Sequence, residues 1–191
     1  MNKVEKRKDA FLSILEASLI NCCVQERVLP SIFAAIAIKS SDWGNDINST
    51  LSLNLFNLTA DMSTWYGKCL NTSTHEIYEN KSQSSDVGSV LIRAYDTYEE
   101  AISDYVTFVM NYKRGNGPYK YHVIKNCTDY KTAINKLVRA GFMQDQFYTV
   151  DDISKIQELI AIIEEYKLYE WDEKLKEAIK EDEECLRKIR S

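Results

Sequence analysis

The segment Pro30-Ser31-Ile32-Phe33-Ala34-Ala35-Ile36-Ala37-Ile38 constrains the fold more than any other part of the chain. Pro30 suits a first helical turn, because the N–H it lacks is one that a first turn leaves unpaired anyway. Three alanines keep this helix slim, while Ile32, Phe33, Ile36 and Ile38 make it apolar on nearly every side. A helix without a polar face is normally buried. Gly44 is placed to end it. Just upstream, Phe11, Leu12, Leu15, Leu19 and Ile20 recur at helical spacing across Asp9 to Cys23, with Asp9 as the expected cap.

The remaining elements follow from the same periodicities. Asn45 to Ser63 is polar and irregular around an apolar patch of Leu51, Leu53, Leu55 and Phe56. Trp65 to Val90 mixes Thr, Tyr and Ile with Asn, Ser and Gly, which suits short strands and a hairpin, and Lys81 to Asp86 reads as a turn. From Thr97 the helical period returns through Tyr98, Ala101, Ile102, Tyr105, Phe108 and Val109, until Gly115-Asn116-Gly117-Pro118 interrupts it. Asp129 to Ala140 predicts a short helix ended by Gly141. Asp151 to Lys167 predicts a stronger one with Ile153, Ile156, Ile160 and Ile163 on one side. Trp171 to Ser191 is rich in Glu and Lys with Leu175, Ile179, Leu186 and Ile189 at helical spacing. It reads as a solvated amphipathic helix packed on the domain, with a partner-binding helix as the alternative. The sum is α+β: a mostly helical chain with one small β insertion.

Composition narrows the function. A chain of 191 residues buries about 70% of its unfolded surface, so it folds without needing disulfides or a metal. A formal charge of −5 argues against a nucleic-acid binder working through bulk charge. Five cysteines form no C-x-x-C pair, and His75 and His122 stand alone, so no metal site and no cofactor are expected. The cysteines read as unpaired thiols of a reducing compartment. The basic start is not followed by a clean apolar stretch and cleavage site, so no signal peptide is read, and no apolar run approaches the ~20 residues of a membrane span.

Six blocks then recur in a fixed order: Pro30 to Gly44 as a whole; Asn54-Leu55-Phe56-Asn57-Leu58; Trp65-Tyr66-Gly67-Lys68 with Thr74-His75-Glu76; Ile92-Arg93-Ala94-Tyr95-Asp96; Ile102-Ser103-Asp104-Tyr105; and Gly141-Phe142-Met143-Gln144-Asp145-Gln146-Phe147-Tyr148. Their order and spacing resemble bacterial glucosaminidases of the autolysin and flagellar-hydrolase type (glycoside hydrolase family 73), from about Asp9 to Asp172. The resemblance implies a lysozyme-like fold: a helical body, a small β-hairpin lobe and a glycan cleft between them. It divides the chain into a glucosaminidase-like domain over 1–170 and a charged helix over 171–191.

The departures from the family pattern matter as much as the match. Ser40 falls where the family carries its catalytic Glu, Ile36 where it carries Gln, and Asn57 where it carries Gly. Hydrolysing a glycosidic bond needs a proton for the departing oxygen and stabilisation of oxocarbenium-like charge, work that two carboxylates usually share. A serine hydroxyl is too weak an acid for the first task. The resemblance leaves Glu76 and Tyr148 as candidate catalytic residues, and Trp65, Phe56, Tyr95 and Tyr148 as candidates to line the glycan. Tyr95 reads equally as a core residue with a satisfied hydroxyl, Glu76 as an exposed hairpin glutamate, and His75, Asp104 and Tyr105 as structural. Asp42 lies two positions beyond Ser40, about 200° around a helix, and reaches the same side only if the helix has already ended.

The expectation is a degenerate glucosaminidase-like domain that binds peptidoglycan glycan strands, or serves as a structural part of a bacterial or phage assembly. It would act at the cell wall or in a phage particle, with 171–191 available to a protein partner. The alternatives are an active endo-β-N-acetylglucosaminidase working through Glu76 with Tyr148 or Asp42, a Ser40 introduced to inactivate the protein, and an interaction module.

Overall fold

The computed structural model describes residues 2–60, 65–80, 89–142 and 152–190. In chain order they form α1 (Lys3–Glu26), α2 (Pro30–Ser41), α3 (Ile47–Ser52), β1 (Cys69–Asn71), β2 (Ile77–Tyr78), β3 (Leu91–Arg93), α4 (Tyr98–Asn111), a single 3₁₀ turn (His122–Ile124), α5 (Tyr130–Arg139), α6 (Asp152–Glu165) and α7 (Tyr169–Arg190). The expected α+β architecture is present. The chain divides into two compact units, one of residues 1–15 and 36–105, the other of 16–35 and 106–191.

In the first unit the strands form an antiparallel sheet of order β2-β1-β3. Cys69 and Leu70 face Tyr78 and Ile77 on one side, and Arg93 and Ile92 on the other. A hairpin is what the sequence leads one to expect between 65 and 90. The third strand lies just past that window, where three residues are too few to show a period of two. Phe11, Leu15, Ile36, Leu55, Leu70, Ile92, Ile102 and Tyr105 are all buried here. The supposedly irregular stretch after Asn45 contains α3, capped by the Asp46 carboxylate, which accepts from the Ser49 N–H at 3.0 Å. Six residues of Ile, Asn, Ser, Thr and Leu are too short and too polar for the periodicity to show.

The start of α1 also corrects the sequence reading. Asp9 is not its cap. Asn2 and Glu5 form a reciprocal capping box, with the Glu5 N–H donating to Asn2 Oδ1 at 2.9 Å and the Asn2 N–H to Glu5 Oε2 at 2.6 Å. The apolar stripe begins only at Phe11, so the exposed first turns left no trace in the pattern.

In the second unit α2 begins at Pro30, as expected, and Ile32 and Phe33 are buried. The N-terminus of α2 is met by Asp172 from α7: the Ser31 N–H donates to Oδ1 at 3.0 Å and the Ser31 hydroxyl to Oδ2 at 2.7 Å. Burial pushes the Asp172 carboxyl up to about 6, although both Ser31 hydrogen bonds pull the other way. Helix α5 has the predicted ends, with Asp129 accepting from the Thr132 N–H at 2.7 Å and Gly141 at φ +80°. It packs against α6 and the 3₁₀ turn. The predicted row of α6 holds in part: Ile163 is buried and Ile156 and Ile160 are half-buried, whereas Ile153 is exposed and Leu159, outside the row, is buried. In α7, Trp171 and Leu175 are buried and Leu186 is exposed, so the packed part of this helix is its first two turns. None of the five cysteines is disulfide-bonded, and burial holds the Cys23 thiol well above its ordinary value. Among the described residues, no helix is long and apolar enough to cross a membrane.

Candidate glycan site

The C-terminal turn of α2 is built by hydrogen bonds rather than by Gly44 alone. Ser41 is buried, and its hydroxyl donates to the Ala37 carbonyl at 2.7 Å and accepts from the Gly44 N–H at 2.9 Å. The Trp43 N–H reaches back to the Ile38 carbonyl at 3.2 Å, the long closing bond of a Schellman end, with Asp42 in the left-handed position usually given to glycine. Asp42, Trp43 and Gly44 follow one another at φ +47°, +59° and +71°. Gly44 is required there, because a Cβ would come within 3.0 Å of the Phe11 ring. The helix therefore ends three residues before Gly44, and the exposed Asp42 lies beyond it.

Ser40 sits half-exposed at this end. Its carbonyl accepts a hydrogen bond from Asn57 Nδ2 at 2.9 Å. Asn57 has φ +52°, a conformation that glycine adopts freely and Asn tolerates better than most side chains. Ile36, one turn earlier, is buried with 1% of its surface exposed, and Phe33 and Ala37 are equally closed off. Of Ile36 and Ser40, one turn apart on α2, only Ser40 lies near solvent.

The motif around Asn57 is held by Asn54, whose side chain is wholly buried and fully used. Its amide nitrogen donates to the carbonyls of Leu58 and Arg93, and its oxygen accepts from the N–H groups of Phe56 and Leu58. Phe56, a candidate to line the glycan, is buried and stacked flat on Tyr105, with centroids 3.9 Å apart and planes 4° from parallel. That face is occupied by another ring.

Trp65 and Tyr95 are brought together, with centroids 5.6 Å apart in an edge-on contact. The Trp65 ring folds back over Gly67, where a Cβ would lie 2.6 Å from it, and its Nε1 donates to the Lys68 carbonyl at 2.8 Å. A charged pair touches both side chains, and in it Asp104, read from the sequence as structural, meets Arg93. The Arg93 guanidinium lies 4.7 Å from the Trp65 centroid and donates through Nη1 to Asp104 Oδ2 at 2.7 Å. The Tyr95 hydroxyl donates to the same oxygen at 2.6 Å. Burial, then the Asp104 charge, push the Tyr95 hydroxyl far above its ordinary value, so at neutral pH it is a donor and no base. Opposite charges in two adjoining motif blocks were the available signal for Arg93 and Asp104.

Glu76 lies in the turn between β1 and β2, exposed, and its Oε2 accepts from the Tyr78 hydroxyl at 2.8 Å and from Thr74 Oγ1 at 3.4 Å. His75 beside it has φ +59° and is exposed. Tyr148 and the turn over Lys81 to Asp86 fall outside the described residues. Among the described residues, no group of three or more His, Cys, Asp and Glu is placed to hold a metal ion.

A mostly helical chain with one small antiparallel sheet is the lysozyme-like class of glycoside hydrolase fold, and solved structures agree. The catalytic domain of the autolysin Auto from Listeria monocytogenes matches with a TM-score of 0.62 at 18% identity, over 86% of this chain and 87% of that one. The glycoside hydrolase domain of Salmonella typhimurium FlgJ matches at 0.61 and 21%, over 92% and 98%. The chain belongs to the glucosaminidase family described as mannosyl-glycoprotein endo-beta-N-acetylglucosaminidase, which residues 17–168 match. Among curated relatives, the exo-glucosaminidase LytG of Bacillus subtilis is 32% identical over 146 residues, covering 76% of this chain and 47% of that protein. The peptidoglycan hydrolase FlgJ of Vibrio cholerae is 28% identical over 142 residues, covering 73% and 39%. The chain thus spans less than half the length of these two relatives.

Proposed function

We propose that this is a peptidoglycan-directed glucosaminidase-type domain that has lost efficient hydrolysis while keeping the means to hold glycan, at the cell wall or within a bacterial or phage assembly. The observation that carries the reading is a serine at the half-exposed end of α2 with a buried Ile36 one turn before it, at positions where the sequence resemblance implies Glu and Gln. A serine hydroxyl cannot protonate a departing sugar oxygen near neutral pH, and loss of a general acid lowers rates by ~10²–10⁴. Trp65, half-exposed beside Tyr95, supplies aromatic surface of the kind that packs on the apolar face of a sugar.

One observation favours a second reading, an active enzyme. Glu76 is exposed and its carboxylate is held by two hydroxyls, as a stabiliser of positive charge would be. Release of reducing ends from purified peptidoglycan by the wild-type chain and by Ser40→Glu separates the two. The proposal expects little turnover by the wild type and a gain of roughly 100-fold or more on restoring the acid. Equal activity in both proteins would overturn it and direct attention to Glu76→Gln. Silence in both, with no retention on the insoluble wall, would remove the glycan-holding role as well.

A further inference from the structure

We infer that the first turns of α1 and the turn after α2 form a second binding site, for a sugar that carries an anionic substituent. A hollow of about 430 Å³ lies within the first unit, bordered by Lys3, Val4, Arg7 and Lys8 from α1 and by Asp42, Trp43 and Asn45. That volume falls in the range of about 300–1,000 Å³ typical of small-ligand sites. Lys3 and Arg7 are one helical turn apart and share a face, as do Val4 and Lys8. The Lys8 ammonium lies 4.5 Å from the centroid of the Trp43 ring, and Phe11 meets the indole edge-on at 6.0 Å. Three cations against the single carboxylate of Asp42 make this wall positive, on a chain whose formal charge is −5.

The chemistry of the wall selects its occupant. A half-exposed indole offers a flat apolar face to the C–H side of a pyranose. The basic side chains pair with a carboxylate or phosphate. The Asn45 amide offers a donor and an acceptor to hydroxyls or an acetamido group. Trp43 is set against this wall by a backbone at φ +59°, unusual for a bulky side chain, and such departures cluster at sites where position matters. The site does not depend on the chemistry at Ser40, so it stands or falls separately from the proposed function.

The test uses the whole ¹⁵N-labelled chain and follows the Trp43 indole N–H, assigned by its disappearance in Trp43→Phe. N-acetylmuramic acid supplies a carboxylate, glucose 6-phosphate a phosphate, and N-acetylglucosamine neither. The expected result is a shift of the Trp43 signal with one or both charged sugars, at an affinity roughly tenfold above the neutral one. The Lys3→Glu/Arg7→Glu double variant, altered only at exposed positions, should lose about that factor, and Lys3→Gln/Arg7→Gln an intermediate one. Preference for the carboxylate points to peptidoglycan as the source, and preference for the phosphate to a phosphate-bearing wall polymer. Equal binding of the neutral sugar, no shift with any of the three, or unchanged binding by the charge-reversed variant in an otherwise native spectrum overturns the site.

Discussion

Each unit of the molecule ties distant segments together through an aspartate, and the two aspartates are treated differently. Asp104, in the first unit, faces the buried Arg93 guanidinium at 2.7 Å and the Tyr95 hydroxyl at 2.6 Å. Asp172, in the second, accepts hydrogen bonds from the neutral N–H and hydroxyl of Ser31 at the first turn of α2, and the charge of Lys176 acts on it less than these bonds do. A full counter-charge meets one carboxylate, while the other has a helix N-terminus, whose field is worth a fraction of a charge. The difference teaches that a carboxylate can anchor a structure in two ways: as half of an ion pair, or as a cap that works at the cost of its own solvation.

The largest effect should come from breaking the ion pair. Asp104→Asn keeps the shape but leaves a buried guanidinium without its counter-charge, and should cost about 3 kcal/mol in urea unfolding at pH 7.5. Asp172→Asn should cost clearly less at that pH, because it removes a charge that burial disfavours. Equal losses from the two would erase the distinction.

The second effect is in the pH dependence. The folded-state value of Asp172 lies at about 6 against an ordinary 3.8, so the folded chain binds this proton more tightly than the unfolded one. Its contribution is fully present below pH ~4 and is lost as pH rises through about 6, by no more than about 3 kcal/mol. Denaturant midpoints across that window should show this decline in the wild type and not in Asp172→Asn. The smallest effect is expected for Ser31→Ala, about 1 kcal/mol at pH 7.5. It removes the hydroxyl bond that holds the carboxyl down and should move the midpoint of the decline upward. A midpoint that stays put would mean that the backbone N–H alone sets it.

Much of this architecture was legible in the sequence, for reasons that particular residues make plain. Helix α2 announces itself through Pro30 and an apolar run, and α5 through Asp129 and Gly141, because caps and breakers are local signals. What failed was either too short to repeat its period, like α3 and β3, or polar along its exposed turns, like the start of α1. For α6 the isoleucine row held at Ile163 and failed at Ile153, while Leu159 beside it is buried, since tertiary packing chooses among several apolar stripes. At the candidate site, a serine at position 40, where the resemblance implies Glu, could be read directly from the sequence. That Ile36 is a core residue followed from the apolar run of α2, but the burial of Phe56 could not be read, because a motif says nothing of which way each of its residues faces. The Asn54 and Arg93 contacts span 39 residues, beyond the reach of any local pattern.

The bond from Asn57 to the end of α2 carries a consequence for how position 40 can change. It grips the carbonyl of Ser40, a group every amino acid possesses, and makes no demand on the side chain. The loop stays moored whichever residue stands there. Mooring and side-chain chemistry are thus separately heritable at this point: the side chain at position 40 can be exchanged without loosening a frame that never depended on it.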